Sequence, residues 1–316
     1  EVINLTSYTN EEKFNIAKNH LVPKKLKKYR IDENVFKITD NAIREIIDCY
    51  TQESGVRELD RTIESLLRKS AKSIIELEDK SIIVSTKNLE DLLGPKKFFL
   101  DKAMKEDQIG VTNGLAWTAT GGVTMPIEVA IMPGVGNIEI TGSIGDVMRE
   151  SVQAVVSYIR SNALRLNINP EFYSVSDIHI HVPKGAVPKD GPSAGVALAV
   201  AIVSALTDIP VRYQVALTGE ITLRGRVLAI GSIKEKSMAA YKAGITKLIL
   251  PSENLSDLHD LDEVVKKNIN FIPVDNMEKA IDNALVGGLN AIKRNTFHQK
   301  GLKNKMDNLK GLNITQ

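Results

Sequence analysis

From about residue 8 to 78 apolar side chains recur at three- and four-residue steps in EKFNIAKNHLV, AIREIIDCY and LDRTIESLLRKSAKSII. That is the period of helices with one buried face. Thr9, Asn10, Glu11 and Glu12 precede the first run as a capping-box pattern, so a small all-helical domain is predicted to begin there. SIIVS at 81–85 reads as a short strand, NLEDLLG as a helical turn closed by Gly94 and Pro95, and DKAMKED at 101–107 as a charged linker. Beyond it the period changes. VTNGLAWTA, PIEVAIM, NIEITG, DIHIHV, YQVALT, RVLAIG, KLILP and FIPV are strand-like, and helical runs separate them at about 143–166, 192–207, 233–244 and 276–285. Such interleaving predicts an α/β domain. The expected organisation is a helical domain at 1–98, a linker at 99–108, a mixed α/β domain at 109–288 and a basic, Asn-rich tail at 289–316. The tail has no sustained period and reads as frayed or disordered.

Composition narrows the function classes. With 316 residues, 43% of them hydrophobic and 25% charged, the chain is a folded protein with room for two or three domains. No run approaches the roughly 18 apolar residues of a membrane span, and no secretion signal opens the chain, so a cytoplasmic location is expected. A net charge of +2 gives no general case for a nucleic-acid partner, and DNA binding through the basic tail is an alternative that the sequence does not indicate. Cys49 is the single cysteine and sits in an apolar pattern, which excludes a disulfide and a thiolate metal cage. The chain begins with Glu1, from which a cut from something longer is expected.

The stretch with most chemistry is PKGAVPKDGPSAGVALAVAIVSALT at 183–207, a Pro- and Gly-rich loop entering a long apolar helix whose first turn holds Ser193. A helix N-terminus presents unpaired amides and positive potential, which suits the oxyanion formed when a serine attacks a carbonyl. A serine there also caps helices, and spacing alone leaves that alternative open. Gly191 and Gly195 favour the nucleophile, since glycine allows close approach and leaves the hydroxyl uncovered.

The base separates the mechanisms. GPSAG also fits the G-x-S-x-G elbow of α/β-hydrolases, which requires a later histidine, yet His259 lies in charged LSDLHDLDE and His298 in the tail. Asp177, His179 and His181 share one strand face, but no third ligand pattern completes a metal site. Lysine serves as a base only when neutral, hence buried. In SIKEKSMAAYKAGI, steps of about 100° put Ile233, Lys236, Ala239, Ala240 and Ala243 on one arc, with Lys234, Glu235 and Lys242 elsewhere. Lys236 is therefore a charge on a core face, with snorkelling past the alanines as its alternative. Thr218, at the end of YQVALT, is a hydroxyl that could orient the amine without ionising it.

PKDGPSAG, TGEITLRGRVLAIG and IKEK together resemble the proteolytic domain of the Lon family of ATP-dependent proteases, over about residues 109–286. The resemblance implies a serine endopeptidase with Ser193 as nucleophile and Lys236 as general base. Thr218 matches the supporting threonine, and Asp190 an acidic residue beside the serine whose position affects activity. Ser232 departs from the family's usual second glycine. SYTNEEKFNIAKNHLVPK and ESGVRELDRTI are similar to the small α-helical subdomain of the AAA+ module, with Arg57 at the position of a nucleotide-sensing arginine. No G-x-x-x-x-G-K-[ST] is present, so the phosphate loop is expected upstream of Glu1. By resemblance the full protein would be a homohexamer using ATP with Mg to unfold damaged or regulatory proteins, with no metal or organic cofactor in the proteolytic step. It would sit in a bacterial-like cytoplasm, with the mitochondrial matrix as the alternative. A catalytically silent regulatory module and an α/β-hydrolase-type esterase are the competing readings.

Overall fold

The computed structural model describes residues 8–76, 81–98, 104–118, 121–183 and 190–294. The chain divides into two compact units, residues 1–101 with 118–121 and residues 102–117 with 122–316.

The first unit is mainly helical. Helix α1 (Asn10–Ile16) starts at the expected capping box: Glu12 N donates to Thr9 Oγ1 at 3.2 Å and Thr9 N donates to Glu12 Oε2 at 2.7 Å. A π-helical turn (Ala17–Leu21) leads into α2 (Val22–Tyr29). Strand β1 (Phe36–Ile38), α3 (Asp40–Cys49), α4 (Arg57–Glu76), strand β2 (Ile82–Val84) and α5 (Leu89–Leu93) follow, the last ending at Gly94 with φ 85°. Sequence reasoning found β2 but not β1, whose three residues pair in parallel with it, Phe36 opposite Ile82. A strand of that length carries no period, and only its distant partner defines it. Phe14, Ile43, Ile46, Leu59 and Leu66 fill the core, with Cys49 as a small buried hydrophobe among them.

The second unit is built on a mixed sheet. Its strands are β3 (Val111–Thr118), β4 (Gly121–Pro133), β5 (Ile138–Thr141), β6 (Ser176–His181), β7 (Val215–Leu217), β10 (Lys247–Pro251) and β11 (Asn270–Val274). They lie in the order β11-β10-β7-β3-β4-β6-β5. β7 pairs in parallel with both β3 and β10, whereas β4 and β6 run antiparallel. A two-stranded ribbon, β8 (Glu220–Ile221) with β9 (Val227–Leu228), stands apart from it. The helices are α6 (Asp146–Ser161), α7 (Phe172–Val175), α8 (Gly195–Thr207), α9 (Ile233–Lys242), α10 (Glu263–Asn268), α11 (Met277–Ala284) and α12 (Gly288–Arg294). Every residue of α8 is buried, as befits a helix that is apolar on all sides. Two 3₁₀ turns, Pro192–Ala194 and Ser252–Asp260, complete the unit. No helix among the described residues is long and apolar enough to cross a membrane.

Residues 289–294 correct the expectation of a frayed segment from 289 onwards. Gly288 turns at φ 61°, Leu289 N donates to Asp282 Oδ1 at 2.9 Å, and Ile292 packs into the main core. One buried isoleucine and one capping carboxylate suffice to fix a segment too short to show a period. The rest of the predicted tail lies outside the described residues. Ile292→Ala should accordingly lower the stability of the unit by about 2–4 kcal/mol, the cost of a core cavity. A urea midpoint equal to that of the unsubstituted chain would return the segment to the surface.

Candidate active site

The site is assembled where β7 ends. Thr218 and Gly219 continue the strand, Thr218 N donating to Ile249 O of β10 at 3.0 Å, so both positions are fixed by the sheet. Gly219 N donates to the Ser193 carbonyl at 2.9 Å, and Val196 N donates back to Gly219 O at 3.1 Å. This reciprocal pair ties the serine turn to the strand end. Gly219 holds φ 152°, and a Cβ there would lie 2.8 Å from Val196 and 2.9 Å from Val227, so only glycine fits.

Ser193 is half-buried in the middle of the 3₁₀ turn that runs into α8. Neither that turn nor α8 has a side-chain cap, and among the described residues the Ser193 hydroxyl forms no hydrogen bond. The capping alternative is thereby removed. Gly195 lets α8 start close against its neighbours, since a Cβ would come 2.7 Å from Ile221 and 3.2 Å from Ser151 Oγ. Gly191 sits at φ 145° in open space and needs glycine only for its backbone angle.

Thr218 is fully buried, and its hydroxyl donates to the Ser193 carbonyl at 3.3 Å. That bond uses the one hydroxyl hydrogen and leaves the oxygen able to accept. Asp190 does not approach as a base. Its Oδ1 accepts from Met148 N at 3.0 Å in the first turn of α6, whose N-cap Gly145 has no side chain of its own. A Cβ on Gly145 would stand 2.3 Å from the Asp190 carboxyl carbon, so the carboxylate occupies the place of an absent cap.

Lys236 lies where the helical period put it. It is 3% exposed, on the α9 face that also buries Ile233, Ala239 and Ala240, while Lys234, Glu235 and Lys242 stay more open. Among the described residues it has no ion-pair partner. Burial lowers its pKa from 10.5 to about 8, against a small opposing effect of the Glu235 charge. Two features of α9 escaped the sequence reading. Ser237, also buried, has a hydroxyl without a hydrogen bond among the described residues, and Ser232 occupies the left-handed region at φ 61°. The second accounts for the family's usual glycine at this position: the backbone here is one that glycine adopts without strain and serine does not.

The other candidates fall elsewhere. Asp177, His179 and His181 do share the outer face of β6, but Asp177 Oδ1 accepts the amides of Val135, Gly136 and Asn137. Both imidazoles bond Thr141 Oγ1, at 2.9 and 2.7 Å. No group of three or more His, Cys, Asp or Glu able to hold a metal occurs among the described residues. His259 belongs to the 3₁₀ turn 252–260, and His298 lies outside the described residues. Arg57 is the first residue of α4 in the first unit, where the Glu53 carboxylate already accepts the amides of Glu58 and Leu59.

A family model of the Lon protease (S16) C-terminal proteolytic domain matches residues 83–287. One of the Lon protease AAA+ ATPase lid domain matches residues 27–83. The chain is 52% identical over 287 residues to a Lon protease of Bacillus thuringiensis (strain Al Hakam), covering 91% of this chain and 36% of that protein. It is 49% identical over 287 residues to Lon protease 1 of Bacillus subtilis (strain 168), covering 91% and 37%. With Lon protease 2 of Thermus thermophilus the identity is 47% over 307 residues, covering 97% and 38%. The chain thus spans little more than a third of the length of the curated relatives it matches.

The Lys236 environment has a direct consequence for stability. Below pH 8 the amine is protonated both folded and unfolded, and the folded state carries the full cost of a shift from 10.5 to about 8, about 3 kcal/mol. Between pH 8 and 10.5 only the unfolded chain holds that proton, so rising pH relieves the cost. Lys236→Met should therefore be more stable than the unsubstituted chain by about 3 kcal/mol at pH 7, the gap closing towards pH 10.5. Urea unfolding across that range checks both the sign and the window.

Proposed function

Since the chain belongs to the Lon protease (S16) family and carries its C-terminal proteolytic domain, a serine peptidase, we propose that Ser193 is its nucleophile and Lys236 its general base. The observation that carries this reading is the burial of Lys236, 3% exposed and without an ion-pair partner among the described residues, which lowers the pKa of its amine to about 8. About a tenth of such an amine is neutral at pH 7, against less than a thousandth for an exposed lysine.

The neutral amine accepts the Ser193 proton while Oγ attacks the substrate carbonyl, giving a tetrahedral oxyanion. Gly195 N and Val196 N are already bonded to Pro192 O and Gly219 O, so the oxyanion is met by amides ahead of Gly195 and by the positive end of α8. The new ammonium returns its proton to the leaving amine, and the acyl-enzyme forms. Water then attacks the ester with the same amine as base, releasing the acid and restoring Ser193. Thr218 supports the serine, its hydroxyl donating to the Ser193 carbonyl at 3.3 Å. Asp190 acts at one remove, holding the loop before Ser193 on α6. A hydrolase elbow has less support: β6 ends at His181, well before Ser193, and His259 is engaged in a separate turn.

For the whole protein we infer ATP-dependent degradation of unfolded or regulatory proteins by a cytoplasmic homohexamer. The match to an ATPase lid domain supports this. Arg57 would act there as a nucleotide sensor. The sequence carries no phosphate loop, and Glu53 accepts the Glu58 and Leu59 amides beside Arg57, so tight nucleotide binding is not expected of this chain alone.

Ser193→Ala should abolish peptide cleavage with a stability loss within about 1 kcal/mol, since its hydroxyl caps nothing. Lys236→Arg should be as inactive, because a guanidinium stays protonated, whereas Lys234→Ala on the more open side of α9 should cleave nearly normally. Peptidase assays with a fluorogenic peptide decide it: activity in Lys236→Arg, or a dead His181→Ala beside an active Lys236→Ala, would overturn the base.

A further inference from the structure

The start of β4 lies on the first turns of α9 with no side chain between them. A Cβ built on Gly122 would fall 2.0 Å from Glu235 O, 2.5 Å from Glu235 C and 3.1 Å from Lys236 N, whereas ordinary contact begins at 3.4 Å. All three are backbone atoms, which cannot swing aside as the end of a flexible side chain would. The approach is therefore made by one backbone to another, and it occurs at the residue pair Glu235–Lys236.

Helix α9 is poorly held from its own side. Its N-cap, Ser232, is in the left-handed region and makes no side-chain capping bond. The bond from Lys236 N to Ser232 O at 3.1 Å therefore rests on a strained hinge. Where a helix does not cap itself, its placement is set by what packs against it.

We propose that Gly122 is a positioning residue for Lys236: by lacking a side chain it lets β4 close over the first turns of α9, fixing the register of Lys236 and keeping water from it. The role rests on the reading of Lys236 as the base. A methyl at 122 must push strand and helix apart, and a gap there both displaces the amine and admits solvent. Displacement slows proton transfer, and solvent restores the preference for the ammonium form. The same glycine would have no such effect elsewhere near the helix. Gly231, one residue before the hinge, has ordinary φ and nothing within 4 Å of its would-be Cβ.

The test is the rate of fluorophosphonate labelling at Ser193 between pH 6 and 10.5, measured on the full chain for the unsubstituted protein, Gly122→Ala and Gly231→Ala. Gly122→Ala should label on the order of 10- to 100-fold more slowly near pH 7.5, with its rising limb moved about one unit to higher pH. Gly231→Ala should superimpose on the unsubstituted chain. A purely structural role for Gly122 would lower the labelled fraction equally at every pH, and a limb left in place overturns the proposal. If Gly122→Ala does not fold, Gly122→Ala with Ser232→Gly carries the same measurement, because the freed hinge lets α9 retreat from the methyl. Failure of the base reading is seen separately in the unsubstituted chain, as labelling without a limb near pH 8 or labelling that persists in Lys236→Met.

Discussion

Lys236 is kept out of water on an alanine-lined face of α9, and that single unfavourable burial governs what the rest of the domain has to supply. An amine in this position destabilises the fold unless it gives up its proton, so the packing around it must be firm enough to resist its escape to solvent. The sheet provides that firmness. β7 runs between β3 and β10, and α9 contributes Ile233 and Ala240 to the same cluster as Leu115 of β3, Ala216 of β7 and Leu248 of β10. The stability given up at one residue is offset by this apolar layer, a familiar relation between strained or desolvated sites and the cores that support them.

The serine is placed by the same strand. β7 reaches its end at Leu217, and the next two residues, Thr218 and Gly219, take hold of the Ser193 carbonyl through a hydroxyl and an amide. Position is thus transmitted from a parallel ladder, which has little freedom, to a turn that would otherwise have a good deal. Glycine recurs at these junctions for reasons of space. Gly195 against Ile221, Gly219 against Val196 and Val227, and Gly145 against Asp190 each mark a place where two elements meet more closely than a Cβ allows. Asp190 links the serine loop to α6 in the same manner, by serving as the cap that Gly145 cannot provide.

Local signals in the chain were strong where a side-chain pattern had a clear period or a clear chemistry. The capping box at Thr9 and Glu12, the helical turn closed by Gly94 and the wholly apolar α8 all follow from residue order. So does the inward direction of Lys236, because five residues on one arc of a helix define its buried face. Among the segments that escaped, β1 and α12 are three and seven residues long. Each is stabilised by a partner far away in sequence, Ile82 for Phe36 and the main core for Ile292, and a window of sequence contains no trace of such a partner.

The same division runs through the site. Residue order alone determined that a serine stands at a helix start between glycines, and that a lysine sits on an apolar helical face. Both depend on neighbours within one or two turns. Tertiary structure decided that the Thr218 hydroxyl turns to the Ser193 carbonyl, that Asp190 caps α6, and that β4 meets α9 at Gly122. It also decided that Asp177 and the two histidines of β6 are engaged with the neighbouring loop and strand. Those outcomes depend on which elements the sheet order makes adjacent. Adjacency in a sheet of order β11-β10-β7-β3-β4-β6-β5 follows from the packing of the whole chain, and no local period encodes it.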